Sequence, residues 1–281
     1  MKPNEIIDKK TLAPSIVFYR VHAPQIARNV KAGQFVILRT DETAERLPLT
    51  VVDHDSSKGT IDLIVQEIGV ATRKLGRLEP GDAILDVVGP LGHASVIEKV
   101  GTVAAVGGGV GTAPLFPIVR AFKEAGNRIL TVLGARTAEQ LILEEEMKRF
   151  SDRLEIATDD GSKGEKGFVT GPLKRLLVTE SVDLVMAIGP AIMMKAVAET
   201  TNNFGVKTVV SLNALMLDGT GMCGGCRITV GGKTRFVCVE GPEFDGHEVD
   251  FDELVRRLGM YRQDERKALH EHECRLNAVG N

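Results

Sequence analysis

The sequence has no tryptophan, and its other aromatic residues are sparse. Aromatics account for 4% of the 281 residues, and the formal charge at pH 7 is −3. So few aromatic side chains argue against a platform on which nucleic-acid bases stack. A small negative charge argues against a surface that attracts nucleic acid or anionic lipid. We therefore expect neither nucleic acid nor a membrane among the partners.

Long apolar runs are also missing. No stretch approaches the roughly 20 apolar residues that span a bilayer, and residues 1–10, M-K-P-N-E-I-I-D-K-K, lack the apolar core of a secretory signal. Four cysteines, three of them close together, suit a metal site in a reducing compartment better than a disulfide framework. These features predict a cytoplasmic protein, and 281 residues are enough for two or three domains.

Three cysteines lie in the stretch D-G-T-G-M-C-G-G-C-R-I-T-V-G-G-K-T-R-F-V-C, residues 218–238. β-Branched residues on both sides of the second Gly-Gly pair predict a β-hairpin with a two-residue turn. In that register Val230 faces Lys233, and Cys238 lies opposite Gly225, roughly 5 Å across the strands. The hairpin thus returns the distant cysteine to the other two.

The spacing of the sulfur atoms indicates a metal centre. Thiolates so arranged bind iron–sulfur clusters or zinc, and a plant-type [2Fe–2S] cluster uses C-x4-C-x2-C with a remote fourth cysteine. Asp218 takes the first position here, and although a carboxylate is a harder ligand than a thiolate, it can bind iron. We predict a [2Fe–2S] cluster held by Asp218, Cys223, Cys226 and Cys238. A zinc site with three sulfurs and one oxygen, or unligated surface thiols, are the alternatives.

The pattern D-x4-C-x2-C-x11-C near the C-terminal end resembles a known family of electron-transfer subunits. These subunits occur in dihydroorotate dehydrogenase and in NADH-dependent reduced ferredoxin:NADP oxidoreductase, also known as sulfide dehydrogenase. The resemblance covers essentially the whole chain. The dihydroorotate enzyme has cysteine where this chain has Asp218, and that departure favours the ferredoxin:NADP type.

Short strands separated by Gly and Pro turns dominate the first hundred residues and predict a small antiparallel barrel. The expected strands cover residues 15–21, 34–39, 61–66 and 82–88. The motif R-L-P-L-T, residues 46–50, resembles the flavin motif of ferredoxin reductase-type barrels, in which arginine neutralises the pyrophosphate and the hydroxyl lies near the flavin N5. The resemblance assigns FAD contacts to Arg46, Pro48, Leu49, Thr50, Ile64, Val65, Gly69 and Thr72.

A buried strand, the loop G-G-G-V-G-T-A-P at 107–114 and a helix follow one another in the middle of the chain. This order is typical of a dinucleotide site, in which backbone N–H groups hold phosphate. The loop resembles the G-G-G-x-G-x-A-P loop of ferredoxin reductase-like NAD(P) domains. The alternation of strands and helices predicts a parallel sheet with ligands at its carboxyl end. The expected nucleotide contacts are Gly108, Gly109, Gly111, Thr112, Arg136, Asp159, Gly189 and Pro190.

The choice between NAD(H) and NADP(H) depends on one basic residue and on the resemblance. Arg136 follows the second strand of this domain, where no carboxylate is available to the ribose 2′-hydroxyl and an arginine can accept a 2′-phosphate. The residue by itself therefore favours NADP(H). The resemblance favours NAD(H), because in that family the small subunit is the NADH side. We expect NAD(H), with NADP(H) as the alternative.

Together these features predict a chain of α/β plus all-β class. It combines an antiparallel flavin-binding β-barrel at 1–97, a doubly wound NAD(P) domain at 98–210 and a small [2Fe–2S] domain at 211–281. A charged tail at 263–275 contains His270, His272 and Cys274; we expect it to be partly mobile or to contact a partner rather than to bind metal.

The resemblance implies the electron-transfer subunit of an oxidoreductase. Electrons would pass between NADH, FAD and the cluster, to or from a larger flavin and iron–sulfur subunit of an electron-bifurcating transhydrogenase. No residue need act as acid, base or nucleophile. The alternatives are a dihydroorotate or sulfide dehydrogenase subunit and, in another class, a zinc-stabilised nucleotide-binding regulator.

Overall fold

The structure, a computed structural model, describes residues 2–279, except for the side chains of 272, 273 and 275–279. Residues 6–91 fold into two antiparallel sheets with strand orders β1-β2-β6-β5 and β4-β3-β7. Their elements are β1 (Ile6–Ala13), β2 (Ile16–His22), α1 (Pro24–Ala27), β3 (Phe35–Arg39), β4 (Leu47–Thr50), β5 (Asp53–Asp55), β6 (Thr60–Gln66), α2 (Val70–Leu75) and β7 (Asp86–Leu91).

The alternation of side chains along β2 explains how these sheets close on a core. Val17, Tyr19 and Val21 point into the barrel, whereas Ile16 and Phe18, on the opposite face, pack against the next domain. One strand therefore contributes to two cores. The predicted barrel is confirmed.

The middle of the chain forms a parallel sheet with the order β11-β10-β9-β8-β12-β13. Its elements are β8 (Thr102–Gly108), α3 (Thr112–Glu124), β9 (Arg128–Ala135), α4 (Glu144–Phe150), β10 (Arg153–Thr158), β11 (Glu165–Lys166), α5 (Thr170–Thr179), β12 (Leu184–Ile188), α6 (Ala191–Asn202) and β13 (Thr208–Ser211). The strand order reverses at β8, and such a reversal creates the crevice in which open α/β sheets bind ligands.

The C-terminal part consists of a hairpin, short helices and one strand that joins the central sheet. Its elements are β14 (Arg227–Val230), β15 (Lys233–Phe236), α7 (Val237–Glu240), β16 (Glu243–Asp245), α8 (Phe251–Leu258) and α9 (Arg262–Val279). β16 pairs antiparallel with β13 and so extends the nucleotide sheet. None of the helices described within residues 2–279 is both long and apolar enough to cross a membrane.

The hairpin is confirmed, with one correction. Val230 pairs with Lys233 as predicted, but the ladder ends at Arg227 and Phe236. Cys238 therefore lies in the helical turn α7 and not opposite Gly225 on a strand. The turn forms because Glu240 reaches back, and its carboxylate accepts a hydrogen bond of 2.7 Å from the Phe236 N–H.

Several other elements go beyond what the sequence predicted. The helix α4 begins at Glu144, since Leu143 has a φ of 55° and cannot be part of a right-handed helix. The strands β1 and β16 were not predicted. The charged tail is a helix, α9, which contacts α2. Its expected contact with a partner stays a prediction, and His272 lies outside the side chains described.

Candidate cofactor sites

The predicted cluster ligands lie in and around one loop at residues 218–226. Cys226 and Cys238 are both 1% exposed, and their sulfur atoms are 3.3 Å apart. The Cys238 N–H also donates to the Cys226 sulfur at 3.4 Å. The hairpin and α7 therefore bring together two predicted ligands that are 12 residues apart in sequence.

The other two ligands are joined through the main chain. Asp218 accepts hydrogen bonds from the N–H groups of Thr220 at 2.9 Å and Cys223 at 2.7 Å. These N–H groups hold the pKa of Asp218 below its ordinary value, so the carboxylate is ionised. Cys223 is exposed, and its sulfur accepts from the Gly225 N–H at 3.4 Å.

The donor set fits an iron–sulfur cluster. In the part of the chain that the structure describes, no three His, Cys, Asp or Glu side chains already converge as a metal site. Two sulfurs are nevertheless in contact, and the remaining thiol and carboxylate belong to the same loop. For the protein alone, burial and then the neighbouring Cys226 raise the pKa of Cys238 to about 12. Iron would reverse this effect, because a bound cation deprotonates the thiols that coordinate it.

The predicted pyrophosphate arginine lies at the open edge of the barrel. Arg46 immediately precedes β4 and is exposed, and within residues 2–279 its guanidinium has no hydrogen bond or ion pair. Pro48, Leu49 and Thr50 follow on β4, which pairs with β3. The arrangement suits a flavin whose phosphates meet the arginine at one end of the strand.

The second group of predicted flavin contacts follows the strand β6. Ile64 packs towards the nucleotide domain, but the Val65 side chain lies in the barrel core, so only its main chain can line a ligand. Thr72 is engaged locally: its hydroxyl accepts from the Gly69 N–H and donates to the Gly69 carbonyl, both at 3.0 Å. Its predicted contact with phosphate stays a prediction, as does that of Gly69.

The glycine loop meets the turn at the end of β12. A Cβ atom on Gly111 would lie 2.5 Å from the Ile188 carbonyl oxygen, and one on Gly189 would lie 3.2 Å from Gly108 Cα. Gly109 has a φ of 56° and faces open space. The loop is therefore packed on one side and open on the other, and it also contacts β6 of the barrel. Nucleotide contacts predicted from separate stretches of the sequence thus lie around one crevice.

Further sequence-predicted groups lie beside this loop. Thr112, the first residue of α3, is buried, and Pro190 precedes α6. Arg136 follows β9 and is exposed. Asp159 follows β10, and its N–H donates to the Ala135 carbonyl at 3.1 Å. The main chain of an acidic residue, Asp159, therefore lies beside the end of β9, which the linear sequence does not indicate.

Two further side chains at these sites were not among the contacts predicted from sequence. Met193 lies against Gly108 and Gly189, since its sulfur is 2.3 Å from a Cβ placed on Gly108, whereas Met194 is buried in the core. Arg257, on α8, donates to the Gly225 carbonyl of the cluster loop at 2.9 Å. Neither contact has a signal in the local sequence, because both depend on how helices pack.

The barrel, the parallel sheet and the cysteine loop, in that order, define an oxidoreductase with the ferredoxin reductase-like fold and an added iron–sulfur domain. Three family models match: "Oxidoreductase FAD-binding domain" at 3–96, "Oxidoreductase NAD-binding domain" at 105–199 and "Iron-sulfur cluster binding domain of dihydroorotate dehydrogenase B" at 213–250. A ferredoxin NADP+ reductase from Neisseria gonorrhoeae, 18% identical, shares the fold with a TM-score of 0.58 over 72% of this chain and 90% of its own.

The chain belongs to the family of dihydroorotate dehydrogenase B electron-transfer subunits. A homologue of that subunit from Thermotoga maritima is 49% identical over 94% of this chain and 93% of its own. A probable subunit from Methanocaldococcus jannaschii is 40% identical over 83% and 85%. A solved structure of the NADH-dependent reduced ferredoxin-NADP oxidoreductase is 47% identical, with a TM-score of 0.93, over 98% of this chain and 99% of its own.

Several predictions made from sequence are thereby confirmed. The chain is an electron-transfer subunit of an oxidoreductase, and it uses FAD, NAD and an iron–sulfur cluster. Such a subunit works with a larger catalytic subunit. Of the two classes of function that the sequence left open, electron transfer is the correct one. The individual ligand residues stay predictions.

Proposed function

We propose that this chain is the NADH-side subunit of an electron-bifurcating, NADH-dependent ferredoxin:NADP transhydrogenase. The choice of this partner rests on one observation. A carboxylate, that of Asp218, occupies the first ligand position of the cluster loop and accepts a hydrogen bond of 2.7 Å from the N–H of Cys223. A dihydroorotate-type subunit has cysteine there. The similarity to the ferredoxin-NADP oxidoreductase over almost the full length of both chains supports the same choice.

The cofactors supply the redox chemistry, since nicotinamide delivers an electron pair, flavin can release it one electron at a time and the cluster carries single electrons. The protein binds and orients them. Arg46 and Thr50 hold the flavin from the two ends of β4, and the Gly108–Gly111 loop with the Gly189-Pro190 turn holds the dinucleotide. We assign no acid, base or nucleophile, because transfer between bound cofactors needs none from the chain.

The cluster is a [2Fe–2S] centre bound by Asp218, Cys223, Cys226 and Cys238 in this proposal. The contact between the sulfurs of Cys226 and Cys238, which lie on either side of the hairpin, supports it. Four protein ligands match the requirement of this cluster type. Three thiols committed to iron also suit a reducing compartment, and we propose that the protein works in the cytoplasm.

NAD(H) is the proposed nucleotide. Asp159 and Asp160 follow β10 beside Arg136, and the Asp160 N–H donates to the Arg136 carbonyl at 3.2 Å. Carboxylates at the adenosine end accept a ribose hydroxyl and repel a 2′-phosphate. They offset the attraction that Arg136 by itself would have for NADP(H).

A second candidate is the electron-transfer subunit of dihydroorotate dehydrogenase, because the relatives at 49% and 40% identity carry names of that type. The two candidates differ in the large subunit. Purification of the native complex and identification of the partner by mass spectrometry decide between them. A partner with flavin and iron–sulfur clusters supports the proposal, and one that oxidises dihydroorotate overturns it.

The visible spectrum of the anaerobic protein tests the proposed donor. We expect flavin bands over a broad iron–sulfur background, and we expect NADH to bleach them much faster than NADPH does. Equal bleaching by both nucleotides would overturn the assignment of NAD(H). A colourless protein that contains zinc in place of iron would overturn the electron-transfer function itself.

A further inference from the structure

Two arginines bind the main chain between the ligands Cys223 and Cys226. The Arg257 guanidinium, from α8, donates to the Gly225 carbonyl at 2.9 Å. The Arg227 guanidinium, at the start of β14, donates to the preceding carbonyl, that of Gly224, at 3.1 Å. Two successive carbonyl groups of the cluster loop are thus each paired with a cation.

These contacts orient the amide groups of the loop. In a trans peptide the C=O and the following N–H point in opposite directions. The Gly224 carbonyl points to Arg227, and the N–H of the same peptide unit, that of Gly225, donates to the Cys223 sulfur at 3.4 Å. The positive end of this amide dipole therefore faces the Cys223 sulfur while its negative end faces the Arg227 guanidinium.

The helix that carries Arg257 is fixed against the hairpin. Leu254 on α8 is buried, and the Glu253 carboxylate accepts from the Thr229 N–H at 2.8 Å. The Asp250 N–H donates to the Thr229 carbonyl at 2.9 Å. Arg257 itself is half-buried, so its charge is only partly screened by water. The cation is held in place rather than moving freely on the surface.

Two other cations lie near Arg257 but do not contact the loop. Arg235 forms an ion pair of 2.7 Å with Glu240, so this cation adds little net charge. Arg256 neighbours Arg257 on α8, but it is exposed, and its guanidinium donates no hydrogen bond among the described residues. Arg256 thus offers the same change of charge on the same helix without contact to the loop.

We propose that Arg257, assisted by Arg227, is a positioning residue that raises the reduction potential of the iron–sulfur cluster. The potential of such a cluster depends on net charge, on hydrogen bonds to its sulfurs and on exposure to solvent. Each electron taken up adds one negative charge beside Arg257. The fixed Arg257 cation and the Gly225 N–H, which faces the Cys223 sulfur, both favour the reduced state. The inference rests on the proposed assignment of the cluster to this loop.

The test is an EPR-monitored redox titration of the cluster in the complex of this chain with its large subunit. For Arg257→Gln we expect the ratio of reduced to oxidised cluster at a fixed potential to fall about tenfold, which for a one-electron couple is a shift of about 59 mV downward. Arg227→Gln should produce a smaller downward shift, since this side chain is exposed. Arg257→Lys, which keeps the charge, should retain most of the natural potential. Arg256→Gln should leave it unchanged.

Two outcomes would overturn the proposal. One is an Arg257→Gln potential equal to that of Arg256→Gln, and the other is an Arg257→Lys potential as low as that of Arg257→Gln. If the Arg257→Gln variant does not incorporate the cluster, the reduction potential of the Arg227→Gln variant is the test. A lower potential than in the natural protein supports the proposal, and an unchanged potential overturns it. A natural protein with no cluster signal at all would contradict the proposed function instead, so the two failures are distinguishable.

Discussion

The nucleotide loop and the cluster loop both consist largely of glycine, but they are formed by different forces. In the nucleotide loop, Gly111 packs so closely against the carbonyl of Ile188 that a Cβ would lie 2.5 Å from its oxygen. In the cluster loop, a Cβ on Gly224 would meet only the ring of Phe236, at 3.7 Å. The first loop takes its shape from neighbouring strands. In the second, Gly219 packs against Ile37, where a Cβ would lie 2.6 Å away, but the segment between Cys223 and Cys226 is held by hydrogen bonds to Asp218 and from two arginines.

This difference indicates what each site requires before its cofactor binds. A parallel sheet fixes the ends of adjacent strands, so the dinucleotide crevice exists as soon as β8 and β12 pair. In the cluster loop only the sulfurs of Cys226 and Cys238 are in contact. The other two predicted ligands, Asp218 and Cys223, must move towards them when the metal binds. Metal binding and local folding are coupled at such a site.

The largest effect is expected at Cys238. Cys238→Ser should abolish the cluster, since the buried contact with Cys226 supplies two of the predicted ligands. Iron and acid-labile sulfide analysis measures the loss, and the flavin content should stay unchanged. Cys274→Ser is the matched control, because that cysteine lies exposed on α9. A full iron content in Cys238→Ser would refute the ligand assignment.

Substitution in the nucleotide loop should act through packing. Gly111→Ala forces its Cβ against the Ile188 carbonyl, and overpacking of this kind costs about 1–3 kcal/mol. We expect slower reduction of the flavin by NADH and a lower free energy of unfolding, with the cluster retained. Stopped-flow absorbance and denaturant titration measure these quantities. Gly259→Ala is the control, since its Cβ would have neighbours no closer than 3.4 Å; equal behaviour of both variants would contradict the prediction.

Asp218→Cys tests whether oxygen ligates the iron. The variant restores four thiolates at plant-type spacing, so we expect the cluster to assemble with a changed reduced-state EPR spectrum. Asp218→Ala, which removes the hydrogen bonds from Thr220 and Cys223, should lower the cluster content. An EPR spectrum of Asp218→Cys identical to that of the natural protein would show that the carboxylate only organises the loop.

The smallest effect is expected at Glu243, where the cluster domain joins the nucleotide sheet. Burial raises the pKa of Glu243, although a hydrogen bond from Ser95 partly offsets this. A raised pKa means that folding favours the protonated form, so stability is lost as the pH rises through the folded-state pKa. Glu243→Gln should therefore unfold with a higher free energy than the natural protein at pH 7. The difference should vanish below about pH 4, near the ordinary pKa of glutamate; a constant difference across this range would be inconsistent with titration of Glu243.

The sequence was sufficient to predict an element when the residues that form it lie close together in the chain. The register of Val230 and Lys233 follows from a two-residue turn. The glycine loop was recognisable because strand, loop and helix are consecutive. The family resemblance supplied the order of the cofactor domains, which single motifs would not have established.

Elements whose partners are remote in sequence were not predictable. β16 is short and polar, and it becomes a strand only because β13 presents an open edge. The turn around Cys238 depends on the Glu240 carboxylate, which closes α7. The contact of Arg257 with Gly225 joins residues 32 apart in sequence. In each case tertiary contacts override the local pattern.

The strand β16 also restricts how the domains of such chains can be exchanged during evolution. Because residues after the cysteine loop complete the sheet of the nucleotide domain, removing everything beyond residue 210 would expose the N–H and C=O groups along β13. Bare strand edges promote aggregation. The segment that carries the cluster ligands is therefore part of the nucleotide sheet and not a structurally separate domain. If recombination transferred this segment to another reductase, that reductase would need an edge strand able to pair with β16. The two domains are therefore expected to be inherited together.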